Sequence, residues 1–158
     1  MKIAVTGHRP DKLGGYNALS NFKLLREHMK SVIAMHECPT LISGCALGID
    51  QLWMEAGLEL GVDVIAAIPF KGYDAKWPSQ SRTAYAKLLA QCIAMVHVCE
   101  PGYSASKLQE RNEWMVDNCD LLVAYWNGTP GGTANCLRYA AIQGKQTIIF
   151  DPGHIIHE

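Results

Sequence analysis

Short apolar runs, each stopped by glycine, proline or polar loop residues, alternate with stretches of helical spacing from one end of this chain to the other. Residues 2–6, 40–43, 62–69, 95–99, 121–126 and 147–150 read as strands. Between them, Leu19, Phe22, Leu25, Met29, Val32 and Ile33 fall at helical spacing within 17–37, and Ile49, Leu52, Trp53, Ala56 and Leu60 share a face ahead of a capping Gly61. Residues 80–94, 104–118 and 133–143 read as further helices, and the tail 151–158 is left open. Strands that alternate with helices of this length require crossover connections, and hence a mainly parallel sheet covered on both faces. The run at 62–69 is apolar throughout, as expected for a strand buried on both sides. The fold class is therefore α/β, a Rossmann-like three-layer sandwich, and the 158 residues form one domain over 1–158.

Composition narrows the function. The chain is 49% hydrophobic and 18% charged, with a formal net charge of -1, so it has material for a core and no disorder signature. A neutral balance gives no broad field for duplex DNA or an anionic membrane, and no basic strip interleaved with aromatics stands out. Nucleic acid and membranes are accordingly disfavoured as partners. The six cysteines form no C-x-x-C pair and lie mostly in apolar runs; with no signal-peptide pattern at MKIAVTGHRP, a cytoplasmic location with reduced thiols is expected. His154-x-x-His157 lacks further ligands nearby, so no metal and no cofactor is read from the sequence.

In a doubly wound sheet, ligands sit outside the carboxyl ends of the strands, where strand order reverses. The loop after the first strand holds Gly7, His8 and Arg9, with Arg9 offering a two-pronged fork for phosphate or carboxylate. Ser43, Gly44 and Gly48 open the second helix, with Asp50 in its first turn. Asp50 reads equally well as an acceptor for ribose hydroxyls and as an acid favoured by the helix dipole. Gly131, Gly132 and Thr133 follow a buried strand and open a helix, a pattern suited to cradling phosphate. The plainer reading of Thr133 is an N-cap. Arg111 and Asn112 lie on the apolar face with Leu108 and Met115, so they must be paired, either to a loop or to an anionic ligand. Tyr73 and Trp77, on a loop long enough to act as a lid, either wall a base-binding slot or pack that loop.

Five motifs carry a resemblance. Thr6-Gly7-His8-Arg9-Pro10, Ser43-Gly44 with Gly48, Asp50, Trp53 and Glu55, Ile68-Pro69-Phe70 with Trp77, Arg111-Asn112 with Met115-Val116-Asp117, and Gly131-Gly132-Thr133 resemble, in order, the YpsA family of the SLOG superfamily. The relatives of that family include DprA and the phosphoribohydrolases called LOG. The resemblance implies a Rossmann-like fold, a pocket for nucleotides or nucleotide-sugar derivatives, and a homodimer. It also suggests a version carried by a bacterium or its phage. Carried over by position, Gly7, Arg9, Ser43, Gly44, Asp50, Gly131, Gly132 and Thr133 become ligand-binding residues, and Glu55 a functionally placed acid. From periodicity alone Glu55 is an exposed helix acid.

One departure bears on catalysis. The LOG signature PGGxGTxxE ends in a glutamate that serves N-glycosidic cleavage, whereas here Pro130-Gly131-Gly132 runs into Thr133 and Cys136 stands three positions on. Such cleavage calls for a carboxylate beside the developing oxocarbenium ion. Asp50 and Glu55 are the remaining candidates. The sequence thus favours a module that binds a nucleotide-derived small molecule for sensing or sequestration; the alternative is a LOG-like N-glycosidase acting on nucleoside monophosphates.

Overall fold

The computed structural model describes residues 1–157. Six strands form one parallel sheet: β1 (Lys2–Gly7), β2 (Thr40–Ser43), β3 (Asp63–Ile68), β4 (Ala94–His97), β5 (Leu121–Tyr125) and β6 (Thr147–Phe150). Their spatial order is β4-β3-β2-β1-β5-β6, so the chain builds outward from β1 to one edge and then returns to the other side of β1. β1 and β5 are in register from Ile3 beside Leu121 to Gly7 beside Tyr125. The α/β reading of the sequence holds.

Alternation along the strands divides the core into two layers. Ile3, Val5, Leu41 and Val123 face α1 (Leu19–Ala34) and α2 (Ile49–Glu59), where Leu25, Met29, Ile33 and Trp53 fill the space. α3 (Ser79–Leu89) closes the same layer through Tyr85 and Leu88. Ala4, Ile42, Ala67 and Leu122 point the other way, toward α4 (Ala105–Asn118) and α5 (Gly132–Ile142), which bring Met115, Val116 and Cys136. Every residue of β5 is buried, whereas the edge strand β4 is largely exposed.

Some boundaries differ from the sequence reading. The first helix stops at Ala34, and Cys38 takes a φ of 44° ahead of Pro39, which disfavours helical backbone in the residue before it. The helix expected over 80–94 ends at Leu89, with Ala94 already in β4. The tail forms α6 (Pro152–His157), started by a proline that suits a first helical position. No helix among the described residues is long and apolar enough to cross a membrane.

Candidate functional site

Because all six strands run in parallel, every loop that follows a strand emerges at the same edge of the sheet. Strand order reverses between β1 and β5, and a crevice of about 210 Å³ opens there. It is lined by His8, Arg9 and Lys12 from the β1 loop and by Gly131, Gly132 and Thr133 from the start of α5. Two side-chain bridges tie these loops together. His8 Nε2 lies 2.9 Å from Asn127 Oδ1 and 3.0 Å from the Asn127 amide nitrogen, so either tautomer of the neutral ring finds a partner. Burial holds the His8 pKa below its ordinary value, which favours that neutral ring. Lys12 Nζ donates to Thr129 Oγ1 at 2.9 Å.

The start of α5 is open. Its N-cap is Gly131, at φ 143°, with no side-chain cap, and the first intrahelical bond runs from Asn135 N to Gly131 O at 3.0 Å. The amides of Gly132, Thr133 and Ala134 therefore have no acceptor within the helix. Thr133 lies inside the first turn and is not the cap. A cation pair and free amides converge on one small hollow, the combination an anion needs.

A larger hollow of about 550 Å³ adjoins it and shares Arg9. Its walls are Phe70, Tyr73, Trp77 and Tyr103, with Lys71 and Lys76 on its margin. Phe70 and Tyr73 meet edge-on with ring centres 5.7 Å apart, as do Tyr73 and Trp77 at 5.2 Å. Trp77 lines this hollow and also packs against the core, so the packing role considered from sequence is observed. The expectation that no basic strip interleaves with aromatics is corrected here: Lys71, Tyr73, Lys76 and Trp77 alternate along the loop and gather around Arg9. Lys12 and Lys76 escaped the sequence reading; basic and aromatic residues alternating over 71–77 were the available signal for Lys76.

Other candidates turn inward. Ser43 Oγ donates to the Asp50 carbonyl at 2.7 Å and accepts from Cys45 N at 3.2 Å. The Asp50 carboxylate accepts from Ala46 N at 3.2 Å, and Gln51 Nε2 donates to the Cys45 carbonyl at 3.2 Å. Arg111 Nη1 donates to the Gly44 carbonyl, and its Nε donates to Asn112 Oδ1 at 3.0 Å. Together these bonds brace the β2–α2 loop, where Cys45 stands at φ 69°. Burial raises the Asp50 pKa, opposed by the nearby Arg111 charge. Burial also pushes the Cys45 thiol up to about 12, so it is no nucleophile at neutral pH.

The glycines divide in the same way. A Cβ on Gly7 would fall 2.6 Å from Ile49 Cβ, and one on Gly44 would fall 2.9 Å from Arg111 Cζ. One on Gly48 would strike the His8 carbonyl and the Arg9 backbone. At Gly131 and Gly132 it would meet nothing within 4 Å. The first three admit protein, and the last two face open space.

Glu55 stands apart. It borders a separate hollow with Gln51, Leu52 and Pro10, and Arg26 Nη1 donates to its carboxylate at 2.9 Å. Burial raises its pKa against the pull of Arg26. Among the described residues, no group of three or more His, Cys, Asp or Glu is placed to hold a metal.

A parallel sheet with its order reversed at β1 and β5, and an uncapped helix start at the reversal, defines a Rossmann-like α/β domain with an open crevice at its switch point. The chain belongs to the YspA SLOG family (YpsA), whose model matches residues 3–149. YoqJ, an uncharacterized SPbeta prophage-derived protein of Bacillus subtilis (strain 168), is 35% identical over 115 residues, covering 63% of this chain and 67% of that one. DNA processing protein A (DprA) of Streptococcus pneumoniae superposes with a TM-score of 0.71 at 19% identity, over 99% of this chain and 54% of its own. This chain therefore spans about half of that DprA chain. The molybdenum cofactor carrier protein MCP of Chlamydomonas reinhardtii superposes at 0.59 with 17% identity, over 94% and 75%. At such identities the two structures share the fold. Their differing names offer no support for disfavouring nucleic acid as a partner.

Proposed function

We propose that this chain binds a nucleotide-derived ligand at the carboxyl edge of its sheet, as a module that senses or sequesters it. The phosphate sits in the crevice against the first amides of α5, with Arg9 and Lys12 beside it, and the base enters the aromatic hollow. One observation carries this reading: a hollow suited to an anion and a hollow suited to a ring adjoin and share Arg9 in their linings. Holding is favoured over cleaving because the acids are engaged elsewhere. Asp50 is committed to its own loop, and Glu55 is paired with Arg26 in a different hollow.

The test is a panel of nucleoside monophosphates, scored by thermal shift and by chromatography for released base. Stabilisation without product is expected. Arg9→Ala should weaken affinity about tenfold, the worth of a charge-assisted contact, with little change in melting temperature. Thr133→Val should weaken phosphate-bearing ligands and spare bare nucleosides. Ribose phosphate released at a rate lost in Glu55→Gln would replace this reading with the phosphoribohydrolase one. A salt-sensitive shift of single-stranded DNA, without nucleotide binding, would replace it with a nucleic-acid function.

A further inference from the structure

The two hollows are unequally charged for a ligand with one phosphate. Arg9 and Lys12 line the crevice with a single carboxylate, Asp11, while Arg9, Lys71 and Lys76 line the aromatic hollow with none. This concentration of positive charge sits on a chain whose net charge is -1. The acid within the loop, Asp74, faces away toward Arg82, 3.7 Å from its Nε. Lys107, above the Phe70 ring at 5.9 Å, is already spent on the carbonyls of Glu100, Pro101 and Gly102. Lys71 and Lys76 are different: among the described residues they make no ion pair and no side-chain hydrogen bond. They border the hollow and not the crevice.

A neutral base between Tyr73 and Tyr103 would make no use of the two ammonium groups, which stand exposed at the same hollow and free to meet an anion. At about 550 Å³ the hollow has room for more than a base, within the range of whole-ligand sites. We infer that the ligand carries a second anionic group, seated at Lys71 and Lys76, so that its nucleoside is flanked by phosphates on both sides. This inference rests on the nucleotide-binding reading and names its ligand class: a nucleoside bisphosphate unit, either free or as the 5′-phosphorylated end of a single strand. Ammonium groups suit this position because they act as point charges and accept several phosphate geometries.

Calorimetry on the full chain, at fixed ionic strength, compares the four common nucleoside 5′-monophosphates, their 3′,5′-bisphosphates, and 5′-phosphorylated hexanucleotides. The best bisphosphate should bind about tenfold more tightly than its monophosphate, one charge-assisted contact's worth. In the Lys71→Ala/Lys76→Ala double variant, that advantage should shrink to about twofold or less, since the second anion loses its partners. Hexanucleotides matching or exceeding the bisphosphate would assign a strand end, and weaker ones a free metabolite; both support the inference. Equal affinities for mono- and bisphosphates would overturn it while leaving the nucleotide reading intact, as would an equal loss for both in the double variant. If no monophosphate, bisphosphate or hexanucleotide bound, the nucleotide reading itself would fall, and this one with it.

Discussion

Gly48→Ala is expected to lower the melting temperature by about 9 °C, the largest effect of any single methyl at this edge of the sheet. Two costs add. Gly48 holds φ 95°, in the half of conformational space that L-residues occupy only with strain of about 1–2 kcal/mol. The new Cβ would also lie 2.5 Å from the His8 carbonyl and 2.9 Å from the Arg9 Cα, both backbone atoms that cannot rotate away. Overpacking of this kind costs about 1–3 kcal/mol, so about 3 kcal/mol is lost in all. The amide of Ile49 donates to that same His8 carbonyl at 3.1 Å, so the substitution also pries the β1 loop from the start of α2.

Gly132→Ala is the control that separates packing glycines from ligand glycines. Its Cβ meets nothing within 4 Å, and its backbone is helical, so the melting temperature should hold or rise slightly. Phosphate-bearing ligands should nonetheless weaken by about tenfold, because the methyl stands between them and the amides of the first turn. Calorimetric melting and titration of both variants decide the matter. A Gly48→Ala protein that melts with the wild type would show that the β1 loop does not press on α2 as drawn. A Gly132→Ala protein with full affinity would remove the crevice as the phosphate seat.

From sequence, Gly48 and Gly132 look alike: each lies between a strand and a helix. What tells them apart is the partner across the missing Cβ, and that partner comes from another segment of chain. The same limit applies to Arg111. Its place on an apolar helix face announced that it must be paired, but its acceptor, the Gly44 carbonyl, lies 67 residues earlier. The elements themselves were legible because their signals are local. The apolar runs at 40–43 and 147–150 coincide with β2 and β6, and Gly61 and Gly144 take positive φ just beyond α2 and α5. The boundaries that differ fall where residue types do not discriminate: Ala90, Cys92, Ile93 and Ala94 suit helix and strand equally. Strand order, and with it the position of the crevice between β1 and β5, follows from topology and from no single residue.

Arg111→Met should cost about 1–3 kcal/mol at neutral pH, because it leaves a buried carbonyl without its donor and takes a cation from the neighbourhood of a buried carboxyl. Methionine keeps most of the volume, so the loss reports on charge and hydrogen bonding. The Gly44 carbonyl loses its donor, and the Asp50 carboxyl, buried in the same brace, loses the larger of the two arginine charges that offset its desolvation, leaving Arg9 and the Ala46 amide. The dependence on pH distinguishes these two causes. Burial already holds the Asp50 pKa above the ordinary 3.8, and without Arg111 it rises further. A carboxyl whose folded pKa is raised destabilises the fold above its unfolded pKa, and the penalty grows until pH passes the folded value. The deficit of Arg111→Met relative to wild type should therefore narrow as pH falls toward 3.8. Urea unfolding of both proteins across that interval measures it. Adding Asp50→Asn to the variant should recover part of the neutral-pH loss, since the neutral amide can still accept from Ala46 N. A deficit that stays constant with pH and is not relieved by Asp50→Asn would mean that Arg111 acts through the Gly44 carbonyl alone, with Asp50 outside the brace.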